Sequence, residues 1–166
     1  MSTPENNPDK AAKVFADDRA NVFHSWSAQG QISPMTVAGG AGSYFWDFNG
    51  KKYLDFSCQL VFTNIGHQHP KVIAGIKKQA DLLATIAPQH ANETRSIAAQ
   101  KIVAHAESHL NKVFFTNGGA DAVENAIRMA RIHTRKHKVL SFYRSYHGNT
   151  GSAINATGDP RRWPNE

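Results

Sequence analysis

Asn117-Gly118-Gly119-Ala120 stands between a short apolar run, Lys112 to Thr116, and a stretch of helical period. Small residues at a strand-to-helix turn let backbone N–H groups at the positive end of a helix approach a phosphate closely, so the tetrapeptide reads as an anion cradle. The same glycines also suit a tight turn and close packing of helix on strand, and the tetrapeptide alone does not separate the two readings. Neither G-x-G-x-x-G nor G-x-x-x-x-G-K-[ST] occurs, which removes the Rossmann fingerprint and the P-loop. Tyr146-His147-Gly148 follows a second apolar run, Lys138 to Phe142. In a parallel layer it emerges at the same sheet edge as the glycine turn, where an aromatic face can stack on a planar ring and a histidine can donate a hydrogen bond. Taken by itself, a Tyr-His pair in a loop is explained as well by packing.

Other reactive residue types carry less. Asp121 and Glu124 fall in the first turn of the helix after the glycines, where acids complement the dipole but would repel a phosphate. They read as structural caps that face away from the cradle. Nine histidines raise a metal hypothesis through His67-x-His69, His105/His109 and His133/His137. None of these pairs has a third ligand at telling spacing, and no metal is expected. Cys58, the only cysteine, excludes an internal disulfide and reads as a small buried hydrophobe.

The elements that must position these residues follow from the patterning. Residues 1–22 read as a loose polar arm with a helix near Ala11 to Ala20. Residues 23–69 form an antiparallel part of a first domain: Tyr44, Phe45, Trp46 and Phe48, then Asn49-Gly50, then Tyr53, Leu54 and Phe56, the pattern of a hairpin with a type I′ turn. From Pro70 the period changes. Ile73, Ile76, Ala80 and Leu83 recur at helical spacing, and a second helix covers Ala91 to His105. Lys112 to Thr116 reads as a buried strand; Val123, Ala126, Ile127 and Ala130 make the stripe of a long helix; Lys138 to Phe142 reads as another strand. This order is that of an α/β layer with parallel strands over residues 70–166.

The 166 residues suit one domain or a piece of a larger protein, and 40% hydrophobic residues exclude global disorder. The formal net charge of +6 is scattered; its densest patch, Arg128, Arg131, Arg135, Lys136 and Lys138, falls at a helix end, where cations complement the dipole. No nucleic-acid partner is expected from it. No apolar run is long enough for a membrane span and the first ten residues lack a secretory signal, so the expected location is the cytoplasm.

Three segments in order, Asp55 to Gly66 with His69-Pro70, Phe114 to Arg131, and Tyr146-His147-Gly148, resemble the class III aminotransferases, fold type I (aspartate aminotransferase-like) enzymes dependent on pyridoxal 5′-phosphate (PLP). The resemblance runs from about Phe23 to the last residue. It implies that Gly118, Gly119 and Ala120 hold the PLP phosphate through backbone amides, that Tyr146 stacks on the pyridine ring with His147 close by, and that Leu60 and Val61 line the substrate entrance. Many ω-transaminase relatives have a larger aromatic at the position of Val61, and many have hydroxyl residues at those of Gly118 and Ala120, so side-chain donors to the phosphate are lost here. None of the eleven lysines matches the family's Schiff-base lysine, which comes later than Glu166. The resemblance thus implies the N-terminal portion of an enzyme that moves an amino group from an amine or ω-amino acid to a keto acid such as pyruvate, homodimeric when complete, and inactive as this chain alone. The competing reading is a non-catalytic remnant that binds the PLP phosphate or a protein.

Overall fold

The computed structural model describes residues 6–165; the first five residues of the expected arm lie outside them. The chain divides into two compact units, Met1–Ala87 and Pro88–Glu166.

In the first unit the polar N-terminal segment is a helix, α1 (Pro8–Asn21), longer than its sequence suggests. Two anchors account for this. The Asn7 side chain accepts from the Lys10 amide at 3.0 Å, a local N-cap with Pro8 in the first turn. The Asn7 amide donates to the Phe48 carbonyl at 2.6 Å, and the Lys10 ammonium lies 5.1 Å from the Phe48 ring centre. The start of the helix is therefore tied to Phe48, in the loop that follows β2 of a three-stranded antiparallel sheet, β1 (Val37–Ala41), β2 (Tyr44–Asp47) and β3 (Lys52–Leu54), in the order β1-β2-β3. Phe45 opposes Tyr53 with rings stacked 5.3 Å apart, and β1 carries a bulge between Val37 and Gly39.

The β2–β3 hairpin forms where Asn49-Gly50 placed it, with a different turn. Only Gly50 takes a positive φ, 79°, whereas a type I′ turn requires it of Asn49 as well. Asp47 decides this: its Oδ1 accepts from the Asn49 and Lys51 amides at 3.0 and 2.9 Å, its Oδ2 accepts from the Tyr53 hydroxyl at 2.9 Å, and the side chain folds the loop into one more residue than a two-residue turn holds. After β3 come a four-residue distorted turn, α2 (Cys58–Val61), and helix α3 (Pro70–Leu82).

The second unit contains α4 (Glu93–Val103), α5 (Gly119–Thr134), α6 (Gly151–Ala156) and a terminal 3-10 turn, Pro160–Asn165. Its core is small: Ile127 of α5 with Ala153, Ile154 and Ala156 of α6, and the fully buried Thr157. The segments 112–116 and 138–142 run without secondary-structure hydrogen bonds, and each lacks a neighbouring strand among the described residues. A parallel strand exists only by its ladder, so the apolar pattern is present while the described residues hold no partner strand for it. Their side chains are correspondingly exposed, Leu140 completely and Phe142 at 85%, where the sequence suggested burial.

Gly50→Ala places a Cβ on a left-handed residue and is expected to cost about 1 kcal/mol of stability in chemical denaturation; an unchanged midpoint would contradict the turn as described.

Candidate functional site

α5 starts without a side-chain cap. Gly118, its N-cap, is extended, and the amides of Gly119, Ala120 and Asp121 meet no acceptor among the described residues. A Cβ added at Gly119 would meet nothing within 4 Å, so open space lies beside this first turn. Uncapped amides of a sixteen-residue helix aimed at open space are a place for an anion.

The loop carrying Tyr146 closes on the same turn. A Cβ on Gly148 would stand 2.5 Å from the Cβ of Ala120, so only glycine, here at φ 129°, permits the approach. Gly119, Ala120, Val123, Tyr146, His147 and Gly148 together line one cleft of about 350 Å³. Two loops 26 residues apart or more thus share a cleft that has amide donors at one end, an apolar wall in Val123 and an aromatic face in Tyr146. Gly118, one of the positions matched to the cradle, caps the helix just outside that lining.

Of the supporting residues, sequence reasoning singled out only Glu124, as a cap of its own helix. Arg161 places its guanidinium 4.0 Å from the Tyr146 ring centre and forms an ion pair with Asp159, whose Oδ1 accepts from Arg161 Nε at 3.0 Å. The buried Thr157 hydroxyl accepts from the His147 amide at 3.1 Å and donates to the Ala153 carbonyl at 3.0 Å. Glu124 does not simply complement its own helix: Oε2 accepts from the Thr150 hydroxyl at 2.7 Å and from the Ser152 and Ala153 amides at 2.8 and 3.2 Å. The Thr150 hydroxyl first, then Ser152, holds the Glu124 carboxyl at about 2. The sequence reading places Glu124 in the first turn of its own helix; α5 starts at Gly119, which puts Glu124 at the sixth helical residue, and the helix it caps is α6.

A larger cleft, about 520 Å³, is lined by Glu124, Arg128, Arg131, Ile132, Arg135, His137 and Ser152. It has charge and the His137 imidazole but no unsatisfied helix-start amides and no Tyr, Phe or Trp ring, so the smaller cleft is the better candidate for a phosphorylated ring.

In the first unit, Leu60 and Val61 are exposed, at 86% and 80%. They sit in a strained turn: Cys58, Gln59 and Val61 all have positive φ, and Val61 is β-branched. Asp55 holds that turn. Its Oδ1 accepts from the Gln59 amide and its Oδ2 from the Gln59 side chain, both at 2.9 Å, and His67 Nε2 lies 2.7 Å from Oδ2. These hydrogen bonds, the Gln59 amide foremost, keep the Asp55 carboxyl below the usual carboxylate range. His67 is thereby engaged with a carboxylate, and Cys58 is a half-buried thiol in the strained turn rather than a core residue. Among the described residues no three His, Cys, Asp or Glu side chains gather at metal-binding distance.

Comparison with known proteins adds to this geometry. A family model described as Aminotransferase class-III matches residues 26–163. An acetylornithine aminotransferase of Bacillus amyloliquefaciens is 42% identical over 120 residues, 72% of this chain and 52% of the relative. Among solved structures, the taurine:2-oxoglutarate aminotransferase of Bifidobacterium kashiwanohense, in complex with PLP and glutamate, superposes with a TM-score of 0.90 at 44% identity over 94% of this chain and 35% of that one. An (S)-enantioselective ω-transaminase of Thermomicrobium roseum gives 0.87 at 30% identity, over 92% and 37%. The chain thus spans about half the length of the first relative and about a third of the two enzymes of known structure.

Two outcomes follow from the geometry. Gly148→Ala should cost about 2 kcal/mol through overpacking against Ala120, read by denaturation; an equal midpoint would mean the loops can part freely. Because the folded-state Glu124 carboxyl is depressed, the stability it contributes is complete above its ordinary value of 4.5 and is lost as pH falls from there to about 2. Acid unfolding followed by circular dichroism should therefore lose part of its pH dependence in that window in Glu124→Gln, and an unaltered profile would contradict the assignment.

Proposed function

The chain belongs to the class III aminotransferases, and from that premise we propose that it supplies the cofactor-binding cleft of an enzyme that moves an amino group from an ω-amino acid or amine to a keto acid. The fold is that of the fold type I transferases, of which this chain forms a part, and the family's cofactor is PLP. The observation that carries the proposal is the shared cleft: unsatisfied helix-start amides and the Tyr146 ring face one volume. The residues present fit PLP by their donor set and their open space. Gly118, Gly119 and Ala120 form the turn that takes the phosphate, with the Asp121 amide beside them; Tyr146, backed by Arg161, covers the ring, and His147 lies at its edge. When bound, PLP supplies an electron sink for proton removal at the amine-bearing carbon. This chain's residues bind the anion, orient the ring and keep water from its stacked face. No lysine lines the cleft, so the chain alone binds without turning over.

The relatives' names favour terminal amines. Taurine and acetylornithine both carry the reacting amine at the end of a chain whose acidic group is remote, and 2-oxoglutarate joins pyruvate as an acceptor to test. Leu60 and Val61 are proposed to line the substrate path, with the small Val61 leaving room where relatives have an aromatic. We further propose a homodimer for the complete protein, in keeping with the exposed Phe56, Leu140, Phe142 and Tyr143, and a cytoplasmic location.

The complete reading frame that contains this chain, loaded with PLP, is expected to convert taurine, β-alanine or acetylornithine with 2-oxoglutarate or pyruvate, read as glutamate or alanine formed. A protein that binds PLP yet transfers from none of these donors would overturn the substrate proposal.

A further inference from the structure

Helix α6 lacks the local cap its sequence offers. Thr150 occupies the N-cap position, yet its hydroxyl makes no bond to the amides of its own helix. It turns instead to Glu124, and Glu124 takes the two amides, Ser152 and Ala153, that a local cap would serve. A carboxylate 28 residues upstream thus performs the capping of α6 at its second helical residue. That carboxylate belongs to α5, one turn after Ala120, and so projects from the edge of the helix that carries the cradle residue. The Thr150 hydroxyl is also 3.4 Å from the Ala120 carbonyl.

The other end of α6 is tied to the aromatic loop. Thr157, its C-cap residue, accepts from the His147 amide. α6 is therefore a bracket: its start is fastened to the helix that offers the phosphate donors, and its end to the loop that offers the ring face. The covalent path between the cradle and Tyr146 runs through the segment 138–142, which has no ladder to fix it among the described residues. The non-local cap is a shorter and stiffer route.

Building on the cofactor reading above, we propose that Glu124 is a positioning residue for PLP: by capping α6 it sets the distance between the α5-start amides and the Tyr146–His147 loop, without touching the cofactor. A group acting this way affects ligands that need both loops and spares a ligand that needs only the amides.

Equilibrium dialysis of PLP and phosphorus NMR titration of inorganic phosphate, on the 166-residue chain and its Glu124→Ala and Thr150→Val variants, separate these cases. Glu124→Ala should weaken PLP roughly tenfold, the loss expected of one carboxylate's charged hydrogen bonds, with phosphate unchanged. Thr150→Val removes one donor, keeps the two amide bonds and should weaken PLP by a smaller factor. Glu107→Gln, at an exposed position, serves as the control. Equal PLP affinity in Glu124→Ala, or parallel loss of PLP and phosphate with helix content retained, would overturn the positioning role. If Glu124→Ala does not fold, the Thr150→Val comparison decides by the same criteria. A wild-type chain that binds phosphate but not PLP would overturn the cofactor reading and this inference together, whereas undiminished PLP binding by the variants would remove the inference alone.

Discussion

Three amide hydrogens at the start of α5 have no acceptor among the described residues, and the function proposed for the second unit depends on that deficit. A helix of sixteen residues concentrates partial positive charge at this turn, and capping it internally would remove the proposed anion site. The two nearby acids differ: Glu124, which could compete as an anion, is consumed by Thr150, Ser152 and Ala153, whereas the Asp121 carboxylate stays beside the turn, its Oδ2 3.9 Å from where a Gly118 Cβ would stand. The lowered pKa of Glu124 follows from that engagement: the carboxylate stays charged while Thr150, Ser152 and Ala153 occupy it.

A similar economy holds in the first unit. Three residues with positive φ in four positions, Cys58, Gln59 and Val61, would not persist without an external restraint. Asp55 supplies it, gripping Gln59 by main chain and side chain while facing His67. The exposed Leu60 and Val61 are thus presented on a turn held by hydrogen bonds to Asp55, the surface proposed above to line the substrate path.

Much of this was legible in the residues. The helices at Pro70–Leu82, Glu93–Val103 and Gly119–Thr134 follow from period and flanking signals, and the Asn49-Gly50 hairpin from turn chemistry. The hairpin's turn type was not legible, because Asp47 reaches past its neighbours to two amides and a tyrosine hydroxyl. The two apolar runs signal strands by composition, but a ladder is a property of partners, and the described residues hold none for them. Tyr146 and the glycine turn were placed together by strand order; the bracket joining them, Glu124, Thr150 and Thr157, depends on hydrogen bonds across more than twenty positions or across a helix, which no local pattern encodes. The α1 anchor on Phe48 escaped for the same reason.

The most direct measurement is an amide-resolved NMR titration of the chain with PLP. Saturable shifts at Gly119, Ala120, Asp121 and Gly148 with one shared dissociation constant are predicted, accompanied by the ring signals of Tyr146. Shifts confined to Arg128, Arg131 and Arg135 would place the phosphate in the arginine-lined cleft and contradict the account.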